Sequence, residues 1–386
     1  MNENRLLLPL FVLILVALAF GAGFLFSYQS APPDLPEGFD ALWETWTYLQ
    51  RDYVDKSALD ADTLAQGAIE GMLEALDDPY TSYLDAETYE LDQASFEGSF
   101  EGVGAVVTMD DGQLTVVSPI AGSPAEQQGL EAGDVILEID GEATSDISLA
   151  EAVLRIRGPQ GTTVTLLVQH QGADAPVTIE IVRAEIELDS VYLEMLPGDI
   201  AYIHITYFSE RTAGEAQSAI SQAIDEGATA LILDVRNNPG GLLSAVVEVA
   251  SHFLDGGPVL YEQHGDGRVQ TWSARRGGLA TDIPVAVLVN EASASGSEVL
   301  AGALQDRGRA VLVGTTTYGK GSVNVVDKLS DGSAVYVTTA RWLTPSMRLI
   351  EGEGLTPDFT VEITDEDWAS GTDTQLEFAI DYLESL

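Results

Sequence analysis

The chain has 386 residues and no cysteine, with 62 acidic against 17 basic side chains and a formal net charge of −45. That length accommodates two or three domains with a sizeable core. The charge excludes nucleic acid and anionic membrane surfaces as partners. The lack of cysteine excludes thiol nucleophiles, disulfides and thiolate metal sites. His170, His204, His252 and His264 are scattered without metal-ligand spacing, and no metal or other cofactor is expected.

After residues 1–5, residues 6–26 form an uncharged, largely apolar run of bilayer-spanning length. Arg5 precedes it, and Asp34 and Glu37 follow, so the positive-inside tendency places 1–5 in the cytoplasm and the rest outside it. A cleaved signal peptide is the rival reading. The stretch from Ser27 to Ala31 makes a poor small-x-small cleavage site, so an uncleaved transmembrane anchor is predicted, with the working part at the cell surface or in a periplasm. Residues 27–38 read as a linker. Residues 39–94 are helical in pattern, with one amphipathic helix through Leu42, Trp43, Trp46 and Leu49 and another over 65–76. Nothing there looks catalytic; the segment reads as a packing or dimerisation element, and a homodimer is one expected assembly.

Residues 95–184 switch to short alternating strands with glycine turns. Phe100, Gly102, Val103 and Gly104 lie in one such turn. Consecutive N–H groups there can capture a terminal carboxylate while a sheet edge accepts the peptide as a strand, although such a turn alone is as readily structural. From 185 to 364 an α/β pattern takes over, with strands at 200–205 and 230–234 and a helix at 212–226. The pair Gly240 and Gly241 ends the buried strand at 230–234. Their N–H groups can face a developing oxyanion, or the pair is an ordinary strand-to-helix turn. A strand at 285–289 leads into small residues with Ser293, Ser295 and Ser297, then a helix ending near Gly308. A strand at 310–313 follows, then a glycine-rich turn carrying Lys320, one of three lysines with Lys56 and Lys328. Residues 365–386 are predicted to close the chain as a helix.

Three readings compete for Lys320. The run from Gly314 through Gly319 to Lys320 nearly completes a phosphate-binding loop, but Gly321 replaces the hydroxyl and a strand-like alternation follows where that loop needs a helix. The second is a serine activated by a neutral lysine, which burial and the absence of a carboxylate partner favour. The third is a serine-rich turn beside a surface lysine.

Ser295-Gly-Ser-Glu298, Ala301-Gly-Ala-Leu-Gln-Asp306 and Tyr318-Gly-Lys-Gly321 resemble the carboxyl-terminal processing peptidases, serine–lysine endopeptidases that carry a PDZ domain. In that family the lysine follows the nucleophile by twenty-five residues, the separation of Ser295 and Lys320. The resemblance extends from Tyr53-Val-Asp55 and Asp78-Pro-Tyr-Thr81, through the β-rich segment, to Asp234-Val-Arg-Asn-Asn-Pro-Gly-Gly241, and so covers about residues 39–386. It implies an α/β (α+β) catalytic core, 185–364, with an inserted PDZ domain at 95–184, and a serine-type endopeptidase that recognises substrate polypeptides by their unstructured C-termini. It implies Ser295 as nucleophile, Lys320 as base, and the N–H groups of Gly296 and of Gly240 or Gly241 as the oxyanion hole. It further implies Phe100, Gly102, Val103 and Gly104 as the carboxylate-binding loop and Arg157 as a reporter of bound peptide.

Two positions depart from the family pattern. Asn324 stands where a glutamine usually orients the lysine, and Gly296 stands where alanine usually follows the serine. The alternative from another class is a non-catalytic PDZ scaffold on a decayed peptidase core, against which the intact Ser295 and Lys320 argue.

Overall fold

The computed structural model describes residues 38–386 apart from Asp111 and Asp146, so the predicted anchor at 6–26 lies outside the described residues. Among the described residues no helix is long and apolar enough to cross a membrane. The described residues divide into two compact units, one ending at Gly71 and one running from Met72 to Leu386. In the first, the helix Phe39–Asp52 buries none of its residues, and Trp43 is 71% exposed.

The second unit is built on a six-stranded sheet in the order Val191–Leu196, Ile200–Ile205, Ala230–Asp234, Val285–Val289, Val311–Gly314, Phe359–Thr360. The first pair is antiparallel and the rest are parallel. The period-2 alternation of strands sorts its side chains onto two faces. Leu231, Leu233, Val285, Val287 and Val289 pack with the helices Thr212–Asp225, Leu243–Phe253 and Gly296–Asp306. Ile232, Ala286 and Leu288 pack on the other side with Ala379 and Leu383 of the helix Thr374–Glu384. Coverage on both faces is why Ala230–Asp234 and Val285–Val289 are buried throughout.

An antiparallel sheet lies beside this core. Its central strand, Ala334–Leu343, pairs with Ser82–Leu84, Pro258–His264 and Ser322–Lys328. The β-rich domain is a separate layer with its own core of Leu114, Ile136, Val164, Leu166 and Ile181. It enters through Ser99–Gly102 and leaves through Ala184–Glu187, and those two strands pair with each other. Its strand Ala105–Asp110 is a sheet edge, flanked by the helix Leu149–Ile156.

Two expectations from the sequence change. The segment 39–94 is not helical throughout, because Ser82–Leu84 joins the antiparallel sheet 250 residues away by pairing Ser82 with Tyr336, Tyr83 with Val335 and Leu84 with Ala334. The closing helix is two helices, Asp365–Ser370 and Thr374–Glu384, separated at Gly371, whose φ of 71° is left-handed.

Arg236 fastens the second of these helices to the sheet. Its guanidinium donates to both carboxylate oxygens of Asp234 and of Asp373 and to Gln375 Oε1. Burial opposes the charge on Asp373, but the bond and charge of Arg236, together with the backbone N–H groups of Leu376 and Gln375, outweigh it and hold that carboxyl below the ordinary aspartate range. A depressed carboxyl adds stability above its unfolded value, and the contribution is lost as pH falls through the lowered folded value. Urea unfolding should therefore separate the parent from Asp373→Asn near neutrality, and the two curves should converge in acid. Arg236→Met leaves the buried Asp234 without its cation and should cost about 3–5 kcal/mol in the same assay.

Candidate active site

The carboxyl ends of the two central strands deliver two loops side by side, residues 235–242 and 290–295. Asn237 and Asn290 bond reciprocally, Asn237 N–H to Asn290 Oδ1 and Asn290 Nδ2 to Asn237 Oδ1, each at 2.9 Å. Ala294 N–H donates to Asn238 O at 3.0 Å. Two of the three serines belong to this framework: Ser293 Oγ donates to Val235 O and Ser297 Oγ to Asn238 O. Both are fully buried, whereas Ser295 keeps 9% of its surface. Ser295 caps the helix Gly296–Asp306 with φ 53° and ψ −114°, a left-handed backbone that a non-glycine residue holds only when its surroundings force it. The strand-to-helix corner thus singles out Ser295 as the displayed serine.

The structure separates the two adjacent glycines. Gly240 N–H donates to Asn238 Oδ1 at 2.8 Å, and Asn238 in turn donates through Nδ2 to Ile205 O. Among the described residues Gly241 N–H meets no acceptor, and Gly296 N–H, at the first helical position, is one of the helix's orphan donors. Gly240 sits against Ser295: a Cβ there would lie 2.8 Å from Ser295 Cβ and 2.7 Å from Gly296 N. A Cβ on Gly296 would lie 3.5 Å from Gly241 N, so the two free donors border one space.

Glu298, which the sequence reading did not single out, joins the serine to the lysine. Its buried carboxylate accepts Ser295 N–H and Lys320 N–H on Oε2, each at 2.9 Å, and Gly319 N–H and Thr317 Oγ1 on Oε1 at 2.7 and 2.6 Å. Burial pushes its carboxyl above the usual glutamate value, and the four donors pull it back. A capping-box spacing, serine then glutamate three residues on at a helix start, was the available signal.

Past Lys320 the chain runs directly into the strand Ser322–Lys328, which removes the phosphate-loop reading. Lys320 Nζ lies 5.5 Å from the centroid of the Tyr80 ring. Among the described residues no hydrogen bond or ion pair links it to Ser295 or to a carboxylate. Asn324 is not bonded to the lysine. Its Nδ2 donates to Tyr80 O at 2.8 Å and Thr338 Oγ1 at 3.2 Å, because this shorter amide sits on a paired strand, at a register shift, facing Thr338.

In the β-rich domain the predicted peptide residues come together. Phe100, Val103, Gly104 and Arg157 line a small cavity of ≈ 50 Å³ with Val107, Val153 and Ile156. Gly102 is adjacent, on the strand carrying Phe100. Gly104 has φ 78°, and a Cβ there would strike Ser123 Cβ at 2.4 Å, so only glycine fits. The Arg157 guanidinium lies 4.4 Å from the Phe100 ring centroid, and its buried Nε meets no acceptor. Burial lowers its basicity, with Glu90 opposing. A roomier cavity of ≈ 560 Å³, lined by Tyr202, His204, Arg236, Asn237 and Asn290 among others, includes neither Ser295 nor Lys320. Among the described residues no group of histidines and carboxylates could hold a metal ion.

Three sequence profiles match the chain: Peptidase family S41 over residues 199–361, the PDZ domain over 93–169, and the activating protease CtpB N-terminal domain over 28–88. The carboxy-terminal processing protease CtpA of Bacillus subtilis is 38% identical over 328 residues, covering 85% of this chain and 70% of the relative. The carboxyl-terminal-processing protease of Picosynechococcus is 39% identical over 368 residues, covering 89% of each. Among solved structures, the photosystem II D1 C-terminal processing protease aligns with TM-score 0.50 at 32% identity, over 83% of this chain and 92% of that one.

Two substitutions test this geometry. Glu298→Gln turns an NH₂ donor toward backbone donors; each donor left without an acceptor should cost about 1–3 kcal/mol, read as a fall in unfolding midpoint. Loss of alignment should lower kcat on the order of 100-fold, with peptide binding by the β-rich domain unchanged. Gly296→Ala places a methyl 2.8 Å from Val246 Cγ2, an overpacking expected to cost about 1–3 kcal/mol. In combination with Val246→Ala the loss should be smaller than the sum of the two single changes.

Proposed function

This chain belongs to the carboxyl-terminal processing proteases of peptidase family S41, and from that premise we infer that Ser295 is its nucleophile and Lys320 its general base. It is a serine endopeptidase with a PDZ domain and acts on polypeptides. The observation that carries the residue assignment is the Glu298 carboxylate, which bonds the backbone N–H of both Ser295 and Lys320.

In the proposed reaction the Ser295 hydroxyl attacks the scissile carbonyl as neutral Lys320 takes its proton. The N–H groups of Gly296 and Gly241 face the oxyanion of the tetrahedral intermediate, and the lysine then returns the proton to the leaving amine. Engagement of Ser295 by Lys320 belongs to the substrate-bound state, since catalytic hydrogen bonds commonly tighten only there. Asn324 supports the lysine indirectly.

The PDZ groove is proposed to take a substrate's unstructured C-terminus as an extra strand along Ala105–Asp110. Phe100, Gly102, Val103 and Gly104 receive its carboxylate, and Arg157 reports its arrival. The small, apolar lining of the cavity supports an apolar terminal residue. Anchorage through residues 6–26, with the catalytic part outside the cytoplasm, rests on the apolar run and its flanking charges. Self-association as a homodimer is supported by the exposed Leu42 and Trp43 on a helix that fully buries none of its residues.

Cleavage of an unfolded protein with an apolar C-terminus is the direct assay. The parent should cut it, and Ser295→Ala and Lys320→Ala should not; cutting that survives both changes would refute the assignment. A parent that binds the tail without cutting it would favour the scaffold reading. Arg157→Ala should lose stimulation by a C-terminal peptide.

A further inference from the structure

We propose that Tyr80 is the positioning residue of the lysine base: its ring face carries the Lys320 side chain, and Asn324 fixes Tyr80 rather than the lysine. The proposal rests on the Ser295–Lys320 reading.

Lys320 is half-buried with its ammonium over the Tyr80 ring. The backbone that carries the ring is held on both sides. Tyr80 O accepts Asn324 Nδ2, and Tyr80 N–H donates to Asp78 Oδ1 at 3.1 Å. The next residue, Thr81, is buried, donates to Asp78 Oδ2 and accepts Thr338 N–H, after which Ser82–Leu84 enters the sheet. Lys328 provides a contrast: it lies 5.7 Å from the Tyr89 ring but is exposed.

The choice of a ring is chemically apt. A carboxylate at this distance would hold the lysine as an ammonium, whereas a π face attracts the cation weakly enough for it to give up its proton. The acidic groups nearby are otherwise engaged. Glu298 accepts the backbone N–H of Lys320, Glu351 accepts that of Gly321, and Asp78 accepts from Tyr80 and Thr81 with Arg341 close by. Burial, with Glu351, Tyr318, Glu298 and Asp78, raises the Tyr80 phenol above its ordinary value, so the ring stays neutral. The Asn324 departure then has a role, because this amide holds the residue that holds the lysine.

The test uses the full chain in detergent with Lys56→Arg and Lys328→Arg, which leave Lys320 as the only lysine. After reductive ¹³C-methylation, its N-methyl signal should show an upfield ring-current shift in this background and in Tyr80→Phe, and lose that shift in Tyr80→Leu. On unmodified protein, Tyr80→Leu should lower kcat about tenfold or more with KM nearly unchanged. Tyr80→Phe should restore kcat. An unchanged signal and kcat in Tyr80→Leu would overturn the proposal, as would a Phe variant as impaired as the Leu variant. A parent that fails to cleave would refute the serine–lysine reading instead, while the methyl signal would still decide the contact.

Discussion

The site depends on one buried carboxylate. Among the described residues Glu298 forms no ion pair, and an isolated carboxylate in the interior is costly unless its lone pairs are filled. Here they are filled by three backbone N–H groups and a hydroxyl, and the residue sits in the first turn of its helix, where the dipole favours negative charge. Two of those donors belong to Ser295 and Lys320. The positions of Ser295 and Lys320 are therefore not independent: whatever moves this carboxylate moves both.

Around that constraint the loops supply what the chemistry requires. The left-handed backbone of Ser295 raises the serine at the corner where helix donors are unpaired. Asn238 binds Gly240 N–H, whereas among the described residues Gly241 N–H meets no acceptor. The absence of a side chain at Gly296 is accounted for locally by Val246, which occupies the space that an alanine methyl would need. Arg236, at the base of the same loop, links it to the C-terminal helix through Asp373.

The peptide groove and the catalytic loops share a continuous framework. Phe100 lies on the strand through which the β-rich domain enters the chain and also lines the groove. The helix preceding that strand, Ala86–Glu97, bonds the antiparallel sheet through Asp92 and Tyr336, and the strand bearing Tyr336 pairs with the one bearing Asn324. The groove and the strand bearing Asn324 are thus joined through packed and hydrogen-bonded elements.

The sequence alone determined the features that are local in the chain. Strand and helix periods placed four strands of the central sheet and the helix Thr212–Asp225 within a residue or two, and a family resemblance pointed to Ser295 and Lys320 as a pair. Glycines at 104, 240 and 241 marked turns that a side chain would block. The tertiary structure decided the choices that depend on partners distant in sequence. Ser293 and Ser297 look as eligible as Ser295 until their hydroxyls are found on Val235 and Asn238. Gly240 and Gly241 are equivalent until Asn238 selects one. Asn324 was read as the lysine's partner from its place in a motif, and its bond to Tyr80 spans 244 residues. Tyr80 itself lay in a segment with no sign of chemistry. Periodicity and turn propensity are encoded by neighbours, whereas a hydrogen-bond partner is set by which loops the fold brings within about 3 Å of each other.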